Sequence, residues 1–315
     1  MAAYHILSLD GGGIRGILTA IILERLEQAV PGFLAHIDLF AGTSTGGILS
    51  LGLASGMSPG EARQLYARFG DRVFADNVID DIRDLGRLVG AEYSLQPLKE
   101  ILSEQFGDRR LRDLPKRVLI TTFDLDNQPE DPRALRTWKA KFFHNYPGVG
   151  TDGDQRIVDI ALRTSAAPTF FPVYQGYIDG GVVANNPSVC ALAQALDPGT
   201  GGQSLRKVRL LSVGTGFNPR YLDTQDGDWG LVQWAPHLIS LMLEGSLNLA
   251  DYQCRQILGD RYIRINPALP FPIGLDRVDQ IPLLKEAAAQ VDLGEAVAWI
   301  EKNIMNVTLQ GKKVA

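Results

Sequence analysis

Short apolar runs of strand length alternate along this chain with longer helix-periodic segments, and a mainly parallel sheet covered on both faces is the fold that such an alternation favours. Tyr4 to Leu9, Ile37 to Ala41, Arg117 to Asp124, Tyr174 to Ile178 and Val208 to Val213 are the expected strands. Between them the pattern predicts helices at Ile17 to Ala29, Thr45 to Ala54, Pro59 to Phe69, Leu95 to Phe106, Asp159 to Ser165 and Pro187 to Leu196. Gly199 to Ser204 is a glycine-rich stretch, but a strand follows at once, so it reads as a surface loop and not a linker. The expected fold class is α/β, with residues 1–315 forming one catalytic domain. Its motifs lie within about 4–216, and a C-terminal part, 217–315, completes it.

Hydrophobic residues at 45% and charged residues at 21% describe an ordinary folded protein. The formal charge is −5, and basic residues cluster only at Arg109 to Arg117, so a nucleic-acid polymer is not the expected partner. Cys190 and Cys254 stand far apart without metal-ligand spacing and read as free thiols in a reducing compartment. The start MAAYHILSLD has neither the basic region nor the apolar core of a secretory signal, and a cytoplasmic location is expected. Leu39 to Gly60 carries no charge and is long enough to cross a bilayer. Its Gly42-Thr43-Ser44-Thr45-Gly46-Gly47 would interrupt a spanning helix, so the segment reads as strand, sharp turn and buried helix.

That turn fits G-x-S-x-G between a strand and a helix, which makes Ser44 the candidate nucleophile. A serine on such a turn is strained, its hydroxyl stands clear of the sheet, and the nearby helix start adds partial positive charge. A base must accept its proton. Of the four histidines, His5 and His36 fall at the wrong end of the sheet, and His144 and His237 lack a catalytic context. Asp179, where a strand meets Gly180-Gly181, is the better candidate, because burial can raise a carboxylate into the useful range. Asn186-Pro187 then reads as a capped helix start.

Asp10-Gly11-Gly12-Gly13-Ile14-Arg15-Gly16 also lies between strand and helix. Backbone amides of Gly11, Gly12 and Gly13 are candidate donors to the oxyanion of acyl transfer, and Arg15 a candidate for substrate or loop support. The rival reading is dinucleotide binding, since Gly11, Gly13 and Gly16 satisfy G-x-G-x-x-G. It wants an acidic residue at the end of the second strand, whereas Asp38 sits near its beginning. Asn218 to Gly245, with Trp229, Trp234 and the apolar run Leu238 to Leu243, reads either as a cap over a site or as a loop followed by a core helix.

In combination, DGGGIRG, GTSTG and DGG followed by NNP resemble the patatin-like phospholipase family, whose members carry these motifs in this order. Arg163 to Pro172 and Leu211 to Gly216 also resemble family segments, so the likeness spans about Ile6 to Gly216. It implies a three-layer α/β/α sandwich and a Ser-Asp dyad of Ser44 and Asp179 working without histidine. The glycine loop becomes the oxyanion hole, and neither metal nor organic cofactor is implied. The implied activity is hydrolysis of fatty-acyl esters of phospholipids or other acyl lipids through an acyl-enzyme, with transient membrane-surface contact, peripheral on the inner face. Trp229, Trp234 and Arg109 to Arg117 are the candidate contacts. Three alternatives stand beside it: an effector activated by a small molecule such as a cyclic nucleotide, a silent lipid-binding or storage protein, and an acyltransferase.

Overall fold

Residues 2–73, 90–129, 131, 133–148, 150–224 and 227–306 are described by a computed structural model of the chain. Of the expected C-terminal part, residues 225–226 and 307–315 lie outside them. Among the described residues, seven strands form one sheet: β1 (Tyr4–Leu9), β2 (Leu39–Thr43), β3 (Arg117–Asp124), β4 (Lys139–His144), β5 (Tyr177–Asp179), β6 (Val208–Val213) and β7 (Tyr262–Ile265). The order is β4-β3-β2-β1-β6-β7, parallel from β3 to β7, with β4 and β5 antiparallel to β3.

Alternate residues of the central strands feed two separate cores. Leu7, Leu9, Phe40, Leu211 and Val213 pack with the helices Gly16–Ala29, Thr45–Ala54 and Ile157–Thr164. Ile6, Leu39, Ala41, Val208 and Leu210 face the opposite way, onto Ser188–Leu196 and the end of Leu231–Leu258. Both faces are therefore dry, which is why these strands read as nearly continuous apolar runs, and the layers form the expected α/β/α sandwich. The helix Thr45–Ala54 is buried at every position, so a sequence apolar all round still forms a helix there. Leu39 to Gly60 divides into strand, turn and helix as expected, and no described helix is long and apolar enough to cross a membrane.

Two expected strands are shifted, Ile37–Ala41 to Leu39–Thr43 and Tyr174–Ile178 to Tyr177–Asp179, while β4 and β7 were not foreseen. Asp38 cannot extend β2 into the core because its carboxylate accepts the His5 N–H at 2.8 Å beyond the strand's start.

The crossing after β2 is tight enough to dictate its glycines. A Cβ on Gly42 would stand 2.2 Å from the Gly46 carbonyl oxygen, and one on Gly46 would stand 2.2 Å from the Leu9 carbonyl oxygen. Backbone cannot yield as a side chain can. Gly46→Ala is expected to cost roughly 3 kcal/mol or more of stability, read as a lowered urea midpoint at unchanged slope; a wild-type midpoint would contradict the packing.

Candidate active site

The register of β3 brings the two candidate groups together. Thr43 of β2 stands opposite Thr121 of β3, and Asp179 of β5 stands opposite the next residue, Thr122. Because β4 occupies the far side of Thr122–Asp124, β5 must lie on the same side as β2. The two strands run toward each other in one lane and meet end to end, so Ser44, just past Thr43, faces Asp179.

Ser44 adopts φ 52° and ψ −123°, a left-handed conformation that a side chain rarely takes and that costs about 1–3 kcal/mol. Its N–H donates to Thr164 Oγ1 at 2.8 Å, and that hydroxyl donates to the Thr121 carbonyl at 2.7 Å. Thr43 Oγ1 donates to the Ala184 carbonyl at 2.6 Å and pairs with Thr121 Oγ1 at 2.7 Å. A small net of buried hydroxyls thus clamps the turn. Behind it, the Tyr66 hydroxyl donates to the Thr45 carbonyl at 2.8 Å.

Asp179 is buried, and its Oδ1 accepts the Gly181 N–H at 2.7 Å. Burial raises its pKa to about 6, against the opposing pull of the Ser44 hydroxyl and the Gly181 amide. Its proton affinity is therefore suited to neutral pH, and it lines the same cavity as Ser44.

The glycine loop divides in two. The Gly11 N–H donates to the Asn185 carbonyl at 3.0 Å and is spent there, so Gly11 joins the loop to the DGG turn and does not serve as a free donor. Among the described residues, no backbone acceptor engages the amides of Gly12 or Gly13, and both residues line the cavity that contains Ser44 and Asp179. Thr215 fixes the loop from below: its hydroxyl donates to the Gly11 carbonyl, and a Cβ on Gly12 would stand 2.2 Å from it.

Two arginines flank this loop. Arg15 is buried, lines the cavity and has an unpartnered Nε; burial lowers its pKa to about 10, partly offset by Glu244, so it stays cationic at neutral pH. Arg264, on β7, went unnoticed in the sequence. Its guanidinium donates to both Asp10 carboxylate oxygens, at 2.6 and 3.3 Å, and to Ser212 Oγ at 2.7 Å, all deep in the protein. Burial works to lower the Arg264 pKa, but the Asp10 carboxylate outweighs it, while burial pushes the Asp10 carboxyl up against the pull of Arg264. The first residue of DGGG is thereby tied to the last strand of the sheet.

The cavity measures about 420 Å³ and is mainly apolar. Phe69, Leu98, Phe170 and Phe171 line one part, and Ile239, Leu243 and Leu247 of the helix Leu231–Leu258 line another. None of the four histidines does so: His5 bonds to the His36 and Asn303 carbonyls at the opposite edge of the sheet, and His237 packs on Trp229. Asp38 also lies at that opposite edge, which removes the ribose contact of the dinucleotide reading.

The sequence pattern described as Patatin-like phospholipase matches residues 7–189. The chain belongs to that family. It is 30% identical to the putative sporulation hydrolase CotR of Bacillus subtilis, over 96% of this chain and 99% of that protein. It is 33% identical to a cGAMP-activated phospholipase of Pseudomonas aeruginosa, over 84% of this chain and 78% of that one. The 85/88 kDa calcium-independent phospholipase A2 of Mus musculus is 29% identical over 89% of this chain and 37% of that protein. As a member of this patatin-like family the chain is a lipid acyl hydrolase of the serine esterase type.

Two substitutions test the site as built. Ser44→Gly is expected to be more stable than Ser44→Ala by about 1–2 kcal/mol, because only glycine relieves the positive φ; equal melting temperatures would remove the strain. Arg264→Lys keeps the charge but loses the fork, and should lower kcat by about ten- to a hundredfold with KM little changed. A rise in KM alone would make Arg264 a binding residue and not a positioning one.

Proposed function

We propose that the chain hydrolyses acyl esters of glycerophospholipids or lysophospholipids through a dyad of Ser44 and Asp179, as one catalytic domain. The observation that carries this reading is the meeting of a strained serine and a buried carboxylate in an apolar cavity where the Gly12 and Gly13 amides are unspent. Asp179 accepts the Ser44 proton as Oγ attacks the ester carbonyl. The carbonyl oxygen, now an oxyanion, is stabilised by the amides of Gly12 and Gly13, each such donor being worth about a hundredfold or more in rate. Asp179 returns the proton to the departing alcohol, leaving Ser44 acylated. Water then attacks the acyl-enzyme, with Asp179 again as base, and the fatty acid departs.

The apolar lining suits an acyl tail, and the buried Arg15, whose Nε has no partner, favours an anionic head group such as the phosphodiester over a neutral glyceride. Contact with a membrane surface is then transient and peripheral, and a cytoplasmic location puts it on the inner face. The likeness to cGAMP-activated phospholipases of Pseudomonas aeruginosa and Vibrio cholerae supports a second reading, in which a cyclic dinucleotide switches the enzyme on. Vesicle hydrolysis that stays negligible until cGAMP is added would favour it over constitutive activity.

Asp179 must be ionised to act, so kcat/KM should rise with pH, breaking near the Asp179 value of about 6, and stay level above it. Stability should run the other way. A carboxylate whose folded pKa is raised binds its proton more tightly in the folded chain, so stability falls as pH climbs from about 4 to about 6 and is lower on the alkaline side by on the order of 2–3 kcal/mol. Asp179→Asn should therefore lose hydrolysis of phospholipid by about a thousandfold or more while melting higher than wild type at pH 8. A variant that retains activity would exclude the dyad.

A further inference from the structure

The two edges of the sheet present different surfaces. All connections that leave the C-terminal ends of the parallel strands, together with the loop entering β5, surround Ser44 and Asp179. These connections expose Trp138 at 70%, Val173 at 53%, Phe217 at 42% and Tyr221 at 89%. Toward the opposite edge, the exposed large apolar side chains include Leu205, Tyr252 and Ile257. That edge also holds Arg109 to Arg117, the sequence's basic cluster, whose cations are already engaged: Arg112 with Asp154, Lys116 with the Ala35 carbonyl and Arg117 with the Asn145 carbonyl.

The helix Leu231–Leu258 sharpens this asymmetry. Its C-terminal half is anchored by Leu247, Ala250, Cys254 and Leu258, spaced three and four apart. Its first thirteen residues, Leu231 to Leu243, carry no charge and are largely exposed. At about 100° per residue, Leu231, Trp234, Leu238, Leu241 and Met242 fall on one outward arc, opposite Leu243 and Leu247, which line the cavity. One helix thus turns an apolar row to the cavity and another to the solvent. Trp229 packs edge-on against Trp234 at its start, with ring centroids 5.2 Å apart, amphipathic side chains of the kind that settle at the boundary between head groups and tails. Several charges at this edge are held in pairs, Arg136 with Asp126, Arg133 with Asp131 and Arg277 with Asp279.

We infer that this edge docks on a phospholipid bilayer, with the outward arc of Leu231–Met242 seated among the acyl chains and the cavity mouth held at head-group level. The inference rests on the lipid hydrolase reading and names its docking surface. It assigns the structural helix to the cap of the sequence's two readings and moves the membrane contact away from Arg109–Arg117. A bilayer is favoured over a second copy because the same helix walls the apolar cavity, so the surface that would meet lipid is continuous with the one that would receive it.

Binding can be read without turnover, so a failed dyad and a failed docking surface give different results. Ser44→Ala protein is floated with phosphatidylcholine vesicles, with and without the paired substitutions Leu238→Glu and Met242→Glu, neither of which lines the cavity. The paired variant should lose about tenfold or more of the bound fraction, and binding by the parent should persist from about 0.1 to about 1 M NaCl. In the Ser44 background, the same pair should slow hydrolysis of vesicle lipid by about tenfold while a soluble short-chain acyl ester is cleaved at the unsubstituted rate. Equal vesicle binding by variant and parent overturns the inference. So does binding that high salt abolishes, a parent dimer that the pair converts to monomer, or equal loss on vesicle and soluble substrates.

Discussion

Everything distinctive about this protein follows from two strands that collide. β2 and β5 enter the same lane beside β3 from opposite directions, and neither can continue because the other is there. The chain escapes at one end through Ser44, in a conformation few side chains adopt, and at the other through Gly180, where a Cβ would stand 2.2 Å from the Thr121 hydroxyl. With the two ends abutting, the carboxylate of one and the hydroxyl of the other line one cavity, and in the proposed dyad they work without an intervening imidazole. That economy carries a constraint, since the carboxylate must be buried deeply enough to hold a proton near neutrality.

Three features at this point are unfavourable to folding: a positive φ at Ser44, a buried Asp179 and a buried cation at Arg15 with an unpartnered nitrogen. The surroundings hold them. The helix after Ser44 is buried throughout, Thr164, Thr43 and Thr121 fix the turn by hydrogen bonds, and the ionic fork from Arg264 to Asp10 anchors the glycine loop. Strain concentrated where chemistry occurs and supported by a rigid frame is the expected signature of a preorganised site. Beyond this frame the structure softens in chemistry, not only in shape, as the uncharged half of Leu231–Leu258 meets solvent with leucine, methionine and tryptophan.

Much of this was legible in the sequence, for identifiable reasons. β1, β3 and β6 declared themselves because both faces are buried and their apolar runs are bounded by glycine or charge. β4 did not, because KAKFFH is a half-exposed antiparallel edge with lysines in alternation, and β7 is only four residues long. Ser44 and Asp179 were visible because each ends a strand at a glycine turn. Gly11 was mistaken for a free donor because its amide is committed to Asn185, a partner that only tertiary contact reveals. Arg264 gave no signal at all, since its meaning depends on an aspartate at the other end of the chain. The long helix was seen only in part; its exposure, not its periodicity, separates a cap from a core helix, and exposure cannot be read from the pattern alone.

The central claim is that Ser44 is activated by Asp179 alone. Covalent labelling with an alkyl fluorophosphonate, followed by intact-mass analysis and peptide mapping across pH, tests it most directly, because the probe reports nucleophilicity without requiring the correct lipid. The expected result is one adduct per chain, on Ser44, forming at a rate that rises through pH about 6 and nearly vanishes in Asp179→Asn. An adduct on another residue, or labelling of Ser44 that is as fast without the Asp179 carboxylate as with it, would contradict the account.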